Sequence, residues 1–123
     1  MIKWFNVKDR SGTASLYANN ITLNTTAMYP LDFAYKVQVG IDDDLNIVVK
    51  PLNKEVVESG ILDECCLLKL EIHKSFARIS STLLMKQISE THGISLGKTP
   101  VQFDTTWDSV ENILIINTKK GGR

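Results

Sequence analysis

The sequence predicts a mainly β protein with one or two short helices. Three observations lead there. Two stretches of the chain repeat one arrangement of short apolar runs, those runs are rich in Val, Ile, Thr and Phe, and a clear 3.6-residue period appears in only one place.

The first copy is "NNITLNTTAMYPLDFAYKVQVGIDDDLNIVVKPL" and the second is "FARISSTLLMKQISETHGISLGKTPVQFDTTWDSVENILIINTK". Ile21 matches Ile79, Val37-Gln38-Val39 matches Val101-Gln102-Phe103, and Asn46-Ile47 matches Asn112-Ile113. Each copy then reads as strand, hydroxyl-rich lead-in, connection, strand, acidic turn, strand. At 123 residues with 43% hydrophobic content, the chain fits one domain with a genuine core. Within it, residues 1–52 form the first repeat half with an N-terminal strand, 53–73 a connector and strand, and 74–123 the second repeat half. Charge follows the same division, because the three blocks net 0, −3 and +3 while the whole chain nets zero. A neutral chain has no global field toward nucleic acid or anionic membrane, so any binding charge is local.

In chain order, "ITLN" is a short strand. Pro30 follows and leaves room for one helical turn at most, since proline is tolerated only near a helix start. "KVQVGI" and "LNIVVKPL" then flank Asp42-Asp43-Asp44 as a hairpin with a solvated tip. An EF-hand needs oxygens at alternating positions, a glycine at the sixth and a glutamate at the twelfth, and consecutive aspartates do not supply that pattern. The acidic stretch "NKEVVESGILDECCLLKLEIH" reads as a connector followed by a strand-forming run. "ARIS" is the second copy's first strand, after which Ser80, Ser81 and Thr82 offer helix caps. Leu84 and Ile88 share a helix face with Met85 beside them, and Lys86 lies opposite, placed to pair with Glu90. Gly93 supplies the left-handed stop and Ile94 its closing apolar contact. "PVQFDT" and "ENILIINTK" flank "TWDSV" as the second hairpin.

Catalytic patterns do not emerge. "GISLGKT" has one residue too few between its glycines for a phosphate-binding loop, and it follows a helix and enters a strand, the reverse of the required order. His73, His92, Cys65 and Cys66 lack the local spacings of a zinc site, and no G-x-S-x-G elbow marks a nucleophile. The histidines read as helix-end or edge residues, and the cysteines as small core hydrophobes. Adjacent cysteines on an extended chain point to opposite sides, which argues against a structural disulfide and for a reducing compartment. The N-terminus has no secretory apolar stretch, and nowhere do about 18 apolar residues run together. The expectation is a cytoplasmic protein that is not an enzyme and uses no cofactor, metal, membrane or small-molecule substrate. Trp4 and Phe5 fit either a core or an interface.

The second copy resembles the AbrB, MazE and SpoVT group of swapped-hairpin barrels. Ala77-Arg78-Ile79, Lys86, Gly93-Ile94, Gly97-Lys98, Val101-Gln102-Phe103 and Ile113 to Lys119 fall on that group's motif positions, and the first copy repeats the pattern more faintly. Two copies in one chain are similar to the MraZ arrangement. The resemblance implies a barrel of interleaved hairpins, here formed as an intrachain pseudo-dimer. It also implies DNA binding, and a role as a transcriptional regulator, through basic residues of the first strand, loop and helix. Arg78 falls on the loop-strand arginine and Lys86 on a helix basic position, with Lys74 just upstream. The first copy departs from this pattern, having Asn20 at the place of Arg78 and Met28 at that of Lys86. Gln87 likewise stands where relatives often carry a second basic residue. The alternative is a non-catalytic module that has lost DNA binding and serves a protein partner or self-assembly as a homo-oligomer.

Overall fold

The computed structural model describes residues 1–5 and 11–118. Eight antiparallel strands form one curled half-barrel in the order β3-β4-β8-β7-β1-β2-β6-β5. They are β1 (Thr13–Leu16), β2 (Asn20–Asn24), β3 (Lys36–Ile41), β4 (Ile47–Leu52), β5 (Glu71–Ile72), β6 (Phe76–Ser80), β7 (Val101–Asp108) and β8 (Ile113–Ile116). Three short helices accompany them: α1 (Thr25–Met28), α2 (Lys54–Glu58) and α3 (Thr82–His92). None is long and apolar enough to cross a membrane, among the described residues.

Strand alternation builds the core. Leu16, Ile21, Leu23, Val37, Ile47, Val49, Ile79, Leu114 and Ile116 point inward, and Leu31, Met85 and Ile88 close the interior from the helical segments. Ser81 caps α3 by accepting from the Leu84 N–H at 3.1 Å, and Gly93 ends it in the left-handed region with φ 64°. Ile88 points inward as expected, but the buried face turns toward Met85 and leaves Leu84 half-buried against the core, and Lys86 is exposed. In the first copy, Asn24 caps α1, which runs on into a 3-10 turn at Tyr29–Leu31 carrying Pro30. The helical lead-in is therefore longer than the single turn expected there, because proline fits the start of that second turn.

Two of the three strand matches made from the sequence are neighbours, whereas β3 and β7, matched through Val37–Val39 and Val101–Phe103, are separated by β4 and β8. β2 pairs with β6, placing Ile21 opposite Ile79, and β4 pairs with β8 through Val48 and Ile115. β1 joins β7 to β2. On the other side of the fold, the segment from Leu68 to Ile72 does the same job, with Leu68 bridged to Val37 of β3 and Glu71 and Ile72 paired to β6. The strand-forming run of the connector thus yields only a bridge and a two-residue strand, because it must cross from one sheet edge to the other.

Two local expectations need correction. The sequence match of Ile47 with Ile113 slips by one residue: Ile47 is buried, whereas Ile113 is half-buried and its neighbour Leu114 is buried. The turns explain this, since the left-handed residue before the returning strand is Leu45 in one hairpin and Asn112 in the other. β7 also extends through Trp107 and Asp108, so the second turn is shorter than "TWDSV". The second correction concerns Cys65 and Cys66, which are free and exposed rather than core residues. They lie on a 3-10 turn (Glu64–Cys66) capped by Asp63, which holds them on the surface of the connector. Trp4 and Phe5 are exposed.

Candidate nucleic-acid interface

The basic residues singled out by sequence map to the hairpin β5–β6 and to α3. Lys74 is exposed in the tight loop closed by the His73 N–H donating to the Phe76 carbonyl at 2.8 Å. Arg78 lies on β6 with Thr22 of β2 on one side and Glu71 of β5 on the other. Period-2 alternation puts Phe76 and Arg78 on the outer face while Ala77 and Ile79 fill the core. The Arg78 guanidinium lies 5.0 Å from the centroid of the Phe76 ring, which stacks on His73 at 4.5 Å. Its Nε is buried without a hydrogen-bond partner, and the side chain as a whole is half-buried. Arg78 is therefore a braced cation rather than a free one.

Across the sheet, Arg78 belongs to a row running Gln102, Ser15, Thr22, Arg78, Glu71. That row holds one cation and one carboxylate, and the next position of β7 on this face is Asp104, opposite Thr13. Glu71 is further engaged by the Ser80 hydroxyl at 3.4 Å. The outer face is polar and nearly neutral; Lys74 at its hairpin tip and Lys86 on the next element add the positive charge.

In the first copy the corresponding places hold no cation. Asn20 accepts from the Thr22 hydroxyl at 2.7 Å and donates to Asn19 at 2.7 Å, and Met28 packs against the core. Lys50 is exposed and Lys36 half-buried on the first hairpin. Lys8, Arg10, Lys119 and the basic tail "KKGGR" lie outside the described residues. Gly97, Lys98 and Thr99 form an exposed turn between α3 and β7, where the Gly97 carbonyl accepts from the Ala18 N–H at 3.1 Å.

Sequence reasoning passed over Glu71 and Phe76 and read His73 only as a helix-end or edge residue, whereas all three set the surroundings of Arg78. Their signal was the alternation in "EIHKSFARIS", legible only once 71–72 and 76–80 are known to pair. It also missed the tie made by His92. Nε2 of this helix-end residue lies 2.6 Å from the Leu45 carbonyl, Nδ1 lies 3.1 Å from the Ile88 carbonyl, and the Thr118 hydroxyl donates to the same Leu45 oxygen at 3.0 Å. These contacts hold Leu45 in its left-handed conformation, φ 65°, which a leucine seldom adopts.

No protein-family model matches the chain, and no curated protein or solved structure matches it either.

Proposed function

We propose that the chain is an AbrB-like swapped-hairpin barrel, completed within one polypeptide as a pseudo-dimer. In this reading it acts in the cytoplasm as a non-catalytic DNA-binding regulator through Lys74, Arg78 and Lys86. The observation that carries the reading is the pairing of like with like: β2 on β6 and β4 on β8, each antiparallel, as an intrachain dimer requires. Lys74 and Lys86 are exposed, and bracing on Phe76 lowers the entropy lost when Arg78 meets a phosphate. Lys and Arg contacts to phosphate supply most nonspecific affinity and make it salt-dependent.

The test is fluorescence anisotropy with mixed-sequence duplex DNA at low salt, on the wild-type chain and on Lys74→Ala, Arg78→Ala and Lys86→Ala. Each variant should weaken binding and reduce the salt slope by about 1. Absence of binding below about 100 µM, the weak end of nonspecific affinity, rejects the reading.

A second reading, a protein-interaction or self-assembly module that has lost DNA binding, is favoured by one specific feature. Glu71 stands opposite Arg78, and the matching positions of the first copy are Asn20 and the core-packed Met28, so half of a symmetric basic footprint is gone.

A further inference from the structure

We propose that the slot between the open edge of β3 and helix α3 receives an extended peptide from a partner protein, adding it to the sheet beside β3. This goes beyond the DNA reading and does not depend on it.

Hydrogen-bond alternation decides which backbone groups of β3 face outward. The turn of the first hairpin closes with the Asp42 N–H donating to the Asn46 carbonyl at 3.0 Å. In the antiparallel ladder behind it, Gly40 opposite Val48 and Gln38 opposite Lys50 are therefore the hydrogen-bonded pairs. Val37, Val39 and Ile41 then point their N–H and C=O groups away from β4. Pro51 agrees with this phase, because it faces Val37 at a position where β3 needs no donor. Val37 satisfies its outward groups by exchanging two 2.8 Å bonds with Leu68. Val39 and Ile41 have no backbone partner on that side among the described residues, since the crossing segment turns away to β5. Natural sheets protect such edges with charge, proline or bulges, and 37–41 carries none of these.

The edge opens into a defined slot. Val39, Gly40 and Ile41 line one wall, and Leu84, Gln87, Ile88, Thr91 and His92 of α3 line the other. Its volume of about 190 Å³ suits one branched or aromatic side chain, since an apolar cavity of about 150 Å³ holds benzene. The contacts of His92 with Leu45 pin the end of α3 to the turn of the same hairpin, so the slot is set before anything binds.

The lining also selects the occupant. It contains no Asp, Glu, Lys or Arg, which disfavours nucleic acid or another polyanion. Unpaired strand groups on one wall, and Leu84 and Ile88 among the uncharged polar Gln87 and Thr91 on the other, suit an extended segment with an apolar anchor, the pattern of β-strand addition. A second copy offering its own β3 would bring the α3 that is tied to that hairpin with it, whereas a lone segment carries no such bulk.

The experiment selects displayed random heptapeptides on the intact chain, then maps a synthetic version of the enriched sequence by amide NMR and hydrogen exchange. The expected consensus has an apolar anchor on an alternating pattern, and exchange at the Val39 and Ile41 amides should slow by at least about tenfold. N-methylation of the peptide at the amides facing β3 should abolish binding, as should Thr91→Trp, which fills the slot from an exposed helix position. The N-methylated peptide is read on the wild-type chain, so it decides the matter even if Thr91→Trp misfolds. Shifts that map outside the slot, or equal binding of the N-methylated peptide, overturn the proposal. So does protection of Val39 and Ile41 that rises with protein concentration without peptide, which would give the edge to a second copy.

Discussion

Ile21 on β2 and Ile79 on β6 stand directly opposite each other, both with no exposed surface, within one of the strand pairs that join the two halves. Truncating either removes methyl groups from the same part of the core. Ile79→Ala and Ile21→Ala should each cost about 2–5 kcal/mol in urea unfolding, and Ile79→Val about 1 kcal/mol. Because the two side chains share one environment, the double variant should depart from additivity by at least about 0.5 kcal/mol. Additive costs would mean that the two halves do not meet through this pair.

The helix caps rank in a definite order. Asn24 accepts from the Ala27 N–H at 2.9 Å and the Thr13 N–H at 3.0 Å, and donates to the Ser11 carbonyl at 2.8 Å. Ser81 makes its cap through the single bond to Leu84. Ser81→Ala should therefore cost about 1 kcal/mol and Asn24→Ala about 2 kcal/mol or more, measured by thermal or urea unfolding.

Left-handed backbone gives a paired test. Gly93 has φ 64°, and a side chain there is strained although nothing lies within 4 Å. Gly93→Ala should cost about 1–2 kcal/mol. Leu45 already carries that strain at φ 65°, so Leu45→Gly should be neutral or gain up to about 1 kcal/mol by unfolding measurements.

Glu71 opposes Arg78 across the β5–β6 pair, so it works against any anion that approaches the cation. Glu71→Gln should tighten low-salt DNA binding roughly threefold, on the order of 0.7 kcal/mol for a water-screened pair of charges. Unchanged affinity would remove Arg78 from the DNA contact.

The Asp63 carboxylate beside Cys65 pushes that thiol above its ordinary range, both by its charge and by hydrogen bonding. A raised value keeps the neutral thiol to higher pH, and the thiolate is the reactive form. Asp63→Asn preserves an acceptor for the Cys65 N–H and should speed alkylation of Cys65 by iodoacetamide at pH 8, read by mass spectrometry. An unchanged rate would show that the carboxylate does not control the thiol.

Local chemistry was legible in the chain where near neighbours decide the outcome. Ser81, Met85, Ile88 and Gly93 define α3 from its own period and caps, and the apolar runs flanking Asp42 to Asp44 define a hairpin because the turn fixes the pairing. Of the strands matched by the repeat, β2 and β6 pair, as do β4 and β8, while β3 and β7 do not. Long-range pairing decided the rest. The slip between Ile47 and Ile113 arose because loop geometry, not residue identity, sets which face a returning strand buries. Val39 and Ile41 were left at an open edge because the segment that bridges β3 at Leu68 turns away to β6, while Glu71 faces Arg78 through a short hairpin whose two-residue strand carried too little pattern to mark it. Periodicity reports whether a side chain points inward or outward, whereas the neighbour it meets depends on how the sheet closes.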